Sequence, residues 1–119
     1  MSRRLLALGV LALLLAASPA YADKARKEAK AQVDFGISVA QKGLWREAIL
    51  RWKKAVEIDP SYAAAWNNLA IAYEYEGQFE SARDAYEKAL KLDPTNNFIR
   101  QNYDFFKEIN DRAKRGTTR

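Results

Sequence analysis

The chain has no cysteine and no histidine. Without cysteine there is no disulfide framework and no lipid-modified N-terminal cysteine. Without either residue, the commonest proton shuttle and the strongest side-chain nucleophile are both missing. A metal site would have to be built from carboxylates alone, and Glu74, Glu76 and Glu80 around Gly77 are the nearest approach to one. Acids on helix ends and loops of this kind are ordinarily solvated. Glycine and proline are also scarce, at five and three residues. No glycine-rich phosphate loop follows a strand pattern, and no strand pattern is evident. These absences predict a protein that is not an enzyme and carries no cofactor.

Long apolar runs are missing too. Leu5–Leu15 is almost wholly apolar, but Ser18-Pro19 interrupts before the ~20 residues that a spanning helix needs. Arg3 and Arg4 precede that run, and Ala20-x-Ala22 follows it as a small-residue cleavage pattern. The expectation is an export signal over residues 1–22, cleaved after Ala22, with the mature protein periplasmic or secreted. A retained anchor is the alternative.

Charge is plentiful but not one-sided. The precursor carries +5, and loss of residues 1–22 would leave +3. Residues 63–96 hold 3 basic and 6 acidic groups, between segments that are each net basic. An acidic middle between basic ends does not form the continuous stripe that a nucleic-acid binder needs, so no nucleic-acid partner is expected.

What the chain does have is helix grammar repeated at a fixed distance. Residues 23–28 open a charged extension made of good helix formers. Gly43 breaks that helix. Trp45, Ala48, Ile49, Trp52, Ala55, Val56 and Ile58 then recur at steps of three and four until Asp59-Pro60 stops the pattern. Thirty-four residues on, Gly77, Phe79, Ala82, Tyr86, Ala89 and Leu92-Asp93-Pro94 repeat the landmarks of Gly43, Trp45, Ala48, Trp52, Ala55 and Ile58-Asp59-Pro60. After Pro94, Ile99, Tyr103 and Phe106 form one helical stripe and Phe98, Phe105 and Ile109 another. Small alanines at 48, 55, 82 and 89 let paired helices approach closely, and Trp52 or Tyr86 fills the space between them.

Residues 63–96 resemble a tetratricopeptide repeat, through Trp66-x2-Leu69-Ala70-x2-Tyr73, Ala82-x3-Tyr86 and Pro94. Residues 29–62 resemble a second copy, through Gln32-x2-Phe35-Gly36-x2-Val39, Ala48-x3-Trp52 and Pro60. The resemblance implies an all-α fold: a short solenoid of antiparallel helix pairs, about five helices in all, with a capping helix over 97–111. A basic disordered tail is expected over 112–119.

The same resemblance implies a concave groove lined by the first helix of each repeat. Its places fall on Val33, Ile37, Ala40 and Gln41, then Ala64, Asn67, Ile71, Glu74 and Tyr75, then Phe98, Gln101, Phe105 and Ile109. One subclass grips a ligand's C-terminal carboxylate, at places occupied here by Val33, Ile37, Asn68, Phe98 and Asn102. Only Asn68 suits that task, so an apolar or amphipathic protein segment is the expected partner, with Ile71, Tyr75 and Phe105 as anchors. Two other readings stand beside it. A second copy of the chain could fill the groove, giving a homo-oligomer. Arg112, Lys114, Arg115 and Arg119 could touch an anionic membrane surface weakly, at about 1 kcal/mol per charge.

Overall fold

The architecture follows from two turns that only glycine makes cheaply. Gly43 and Gly77 hold φ of 78° and 73°, a left-handed conformation that an L side chain resists. At the first, Leu44 N–H donates to the Val39 carbonyl at 3.0 Å and Gly43 N–H to that of Ala40 at 2.8 Å. At the second, Gln78 N–H donates to Tyr73 at 2.8 Å and Gly77 N–H to Glu74 at 3.0 Å. Both are Schellman terminations, which satisfy the last carbonyls and reverse the chain.

The computed structural model describes residues 18–117, and five helices follow from these stops. They are α1 Pro19–Gln41, α2 Trp45–Ile58, α3 Ala63–Tyr75, α4 Phe79–Leu92 and α5 Asn97–Thr117. The expected all-α solenoid of helix pairs is what the chain forms: α1 packs on α2, α3 on α4, α2 on α3, and α5 closes the far end. The bulk of the expected export signal lies outside the described residues. Within them α1 starts at Pro19, capped by Ser18, whose Oγ accepts from Tyr21 N–H at 3.2 Å. The helix therefore runs through the Ala22–Asp23 bond. No helix among the described residues is long and apolar enough to cross a membrane.

Two cores hold the pairs. The first gathers Ala29, Val33, Val39, Ala48, Ile49, Trp52, Ala55 and Val56, then Ala65, Leu69 and Ala72 from the next repeat. The second gathers Ala70, Ala82, Ala85, Tyr86 and Phe106. Ala48, Ala55, Ala82 and Ala89 are fully buried, as close helix approach demands. The Trp52 indole fits over Gly36 and donates Nε1–H to the Val33 carbonyl at 3.1 Å. Phe35 shows what the array's edge does. It occupies the repeat position of buried Leu69, yet it is exposed, because no earlier pair covers it. The Arg51 guanidinium lies 4.3 Å from its ring centroid instead.

The charged extension over 23–28 is helical and exposed except at half-buried Ala25, and one of its side chains is tied down. Arg26 reaches the turn after α2, with Nε 2.6 Å from Asp59 Oδ2, Nη2 3.3 Å from Ser61 Oγ, and its guanidinium 4.4 Å from the Tyr62 ring centroid. Asp59 also accepts from Ser61 N–H at 3.0 Å and from Ser61 Oγ–H at 2.6 Å. Burial pushes its carboxyl up, but the bonds from Ser61 and Arg26 outweigh that and hold it below the ordinary carboxylate value.

A carboxyl more acidic in the folded state contributes stability above its unfolded pKa, and that contribution disappears as pH falls through the folded one. Asp59→Ala removes three hydrogen bonds and should cost about 2 kcal/mol at pH 7. Urea melts across the pH range check it: the gap to the parent should close progressively below about pH 4. A gap independent of pH would show that the ionised carboxylate is not what ties the turn.

At the other end, α5 continues through Thr117 rather than giving way to a disordered tail at 112. Arg112 pairs with Glu108 one turn back, and Lys114 and Arg115 lie in the last turn, where cations oppose the helix dipole. The basic residues within 112–117 are thus part of a helix.

Candidate partner-binding groove

The first helix of each pair, α1, α3 and α5, lies beside the next along one face, since α3 touches both others. The 34-residue offset places Ile37, Ile71 and Phe105 in equivalent positions on these helices, and Gln41, Tyr75 and Ile109 in another set one turn on. Two cavities open along α3. The first, about 300 Å³, is lined by Ile37, Ala40 and Gln41 of α1, Asn68 and Ile71 of α3, and Trp45 and Trp52 of α2. The second, about 290 Å³, is lined by Glu74 and Tyr75 of α3, Phe79 of α4, and Phe106, Ile109 and Asn110 of α5.

A stacked aromatic pair divides them. The rings of Trp45 and Tyr75 lie 4.0 Å apart at 7°, with Trp45 on the first cavity and Tyr75 on the second. Beside them Arg46 Nε is 3.3 Å from Glu76 Oε2, binding the start of α2 to the end of α3. The plate between the cavities is therefore fixed from both repeats, and Tyr75 still leaves 66 % of its surface exposed.

Of the residues expected to face the groove, Ile37, Ala40, Gln41, Asn68 and Ile71 meet in the first cavity and Glu74, Tyr75 and Ile109 in the second. Phe98 and Phe105 line neither, yet both are exposed, at 64 % and 63 %. With Ile109 they make an apolar stripe along α5, and Gln101 is exposed beside it. The capping helix does not shift inward to bury them.

Val33 and Asn67 are corrections. Val33 is buried in the first core, where α1 turns it toward Trp52 rather than the groove. Asn67 is buried as well, its Oδ1 accepting from Asn102 Nδ2 at 3.2 Å, so it ties α3 to α5. That bond also occupies Asn102, one of the places a carboxylate clamp would use.

The groove's floor and walls include five residues that the sequence reading did not assign to it: Trp45, Trp52, Phe79, Phe106 and Asn110. Trp45 and Phe79 share a repeat position at the start of α2 and α4, the one signal that could have pointed to them.

Glu74 carries the electrostatics of the second cavity. Tyr86 donates its hydroxyl proton to Glu74 Oε2 at 3.1 Å. Burial raises the Glu74 carboxyl above its ordinary value, against the lowering effect of that hydrogen bond. Burial and the Glu74 charge push the Tyr86 phenol well up, so it remains a donor. Glu76 is spent on Arg46, so the acids around Gly77 do not converge. No group of three or more potential metal ligands exists among the described residues.

With this geometry in view, the comparisons agree on one kind of protein. The family model described as Tetratricopeptide repeat matches residues 63–96, and a second, described as TPR repeat, matches residues 39–74. The chain is 37 % identical over 90 residues to the type IV pilus assembly protein PilF of Pseudomonas aeruginosa, covering 75 % of this chain and 36 % of that protein. It is 32 % identical over 71 residues to an uncharacterised protein of Methanocaldococcus jannaschii, covering 60 % of this chain and 83 % of that one. Among solved structures, the TPR domain of Arabidopsis OM64 superposes with a TM-score of 0.69 at 19 % identity, covering 76 % of this chain and 74 % of that domain. The chain thus spans little more than a third of its pilus-assembly relative.

Proposed function

Because the chain belongs to the tetratricopeptide-repeat family, whose members mediate protein–protein interaction, we propose that it is an exported, non-enzymatic adaptor that holds a segment of another protein along the face of α1, α3 and α5. One observation carries the reading. The repeat places apolar side chains at the same position on three alternate helices, Ile37 on α1, Ile71 on α3 and Phe105 on α5, on a face that leaves Phe98, Phe105 and Ile109 exposed. Exposed contiguous apolar surface marks contact sites. An apolar stripe of this spacing suits the apolar face of an amphipathic helix. Export rests on Arg3-Arg4, the apolar run and Ala20-x-Ala22, and is supported by the likeness to a pilus-assembly protein.

Truncating Ile71 and Phe105 together to alanine should weaken partner binding by about 100-fold, as loss of two central anchors does. Lys88→Ala, on α4 with its ammonium 4.2 Å from the Trp66 ring centroid, should leave binding unchanged. Pull-down and calorimetry check it, with the helical circular dichroism of each variant compared. Equal binding by the double variant and the parent overturns the groove assignment.

The exposed stripe on α5 also favours one second reading, in which another copy of the chain covers it. Sedimentation at micromolar concentration decides between them, since a strict monomer removes the self-assembling form.

A further inference from the structure

The second cavity has a chemistry that an apolar stripe does not explain. Its apolar walls are Tyr75, Phe79, Phe106 and Ile109, and a carboxylate, Glu74, is set among them. Glu74 takes part in none of the ion pairs among the described residues, and its hydrogen-bond partner, Tyr86, is neutral. A half-buried anion without a counter-charge is costly. Asn110 lines the same cavity at 6 % exposure, and its Nδ2 has no hydrogen-bond partner. The cleft between these apolar walls is thus bordered by a carboxylate and by a buried amide, and of the two only the carboxylate bears a charge.

The charge narrows the ligand class. An anion would be repelled by Glu74. A neutral apolar plug would strip more water from that carboxylate and return nothing. A cation gains from the carboxylate and also from the negative faces of aromatic rings. We infer that this cavity takes the cationic side chain, lysine or arginine, of the segment lying in the groove, its charge against Glu74 and its methylenes against Tyr75, Phe79 and Ile109. The inference rests on the groove reading for the identity of the segment, while the pocket's own preference for cations does not depend on it. Glu74 lies one turn past Ile71 on α3, across the Trp45–Tyr75 plate. The segment's basic residue therefore lies about one helical turn from its apolar anchor.

Small solutes test this without the partner. The full chain is titrated with n-butylguanidinium, n-butylammonium and 1-butanol, and followed by backbone amide shifts. The cations should shift Tyr75, Phe79, Ile109 and Asn110, more weakly as ionic strength rises, and bind about tenfold less well to Glu74→Gln. That variant keeps an acceptor for the Tyr86 hydroxyl, so the fold is retained. Phe79→Ala should weaken the cations as well, and Ile71→Ala, in the neighbouring cavity, should not. Equal affinity for butanol and the cations, or cation binding that ignores both salt and Glu74→Gln, overturns the inference. Failure of the Ile71 and Phe105 variants to affect partner binding would remove the groove reading and leave a cation pocket standing.

Discussion

Trp52→Ala should lower the stability of the domain by about 4 kcal/mol, within the usual range for deleting a buried aromatic. Trp52 is 3 % exposed and lies at the centre of the first core. Its removal leaves a hole bounded by helix backbones that the small alanines already hold close, so the site has little room to collapse. It also removes the indole bond to the Val33 carbonyl. For a domain of this size the loss corresponds to a fall of about 20 °C in the thermal midpoint. Small domains hold only about 5–15 kcal/mol in total, so the variant should lie close to its unfolding threshold at 37 °C. Thermal melts by circular dichroism check it. A shift of only a few degrees would mean that the first pair is held by something other than this ring.

Gly36→Ala should cost about 3 kcal/mol, the upper end of the usual overpacking penalty, although alanine is the better helix former. A Cβ at this position would fall inside contact distance of Trp52 Nε1 and lie 2.7 Å from both Cδ1 and Cε2 of the ring. The ring cannot yield easily, because its nitrogen is committed to Val33 and its neighbours are buried. The two effects are therefore coupled. In a Trp52→Leu background the penalty should largely vanish, since the atoms the methyl would strike are gone. A double-mutant cycle measured in urea reads that coupling directly. Additive losses would show that the two residues do not share the space.

The fold was legible because the signal was repeated. Gly43 and Gly77, the alanine pairs, and Pro60 and Pro94 each recur at one offset, and every recurrence removes an alternative. The groove was legible only in part, because a residue's angle about a helix is fixed by packing that sequence spacing does not encode. Ile71 and Asn67 are one turn apart on α3, yet one lines a cavity and the other is buried against α5. Val33 and Ile37 divide in the same way on α1, because Trp52 draws Val33 into the core.

The Arg26–Asp59 tie was hidden for another reason. It joins residues 33 apart, and Arg26 is one of nine basic residues within 23–62. Nothing local distinguishes it from its solvated neighbours. The continuation of α5 to Thr117 was missed because the tail lacks apolar anchors, while i,i+4 pairing and the dipole favour helix there without them.

The central claim is that the face of α1, α3 and α5 is where the partner lies, and photo-crosslinking in the expressing cell tests it most directly. A benzophenone side chain would replace Phe105, on the groove, or Leu50, an equally exposed apolar residue on α2 at 61 %. The account predicts a discrete adduct from Phe105, lost when Ile71→Asp is added, and none from Leu50. Adducts that form equally from both positions, or from Leu50 alone, would contradict it.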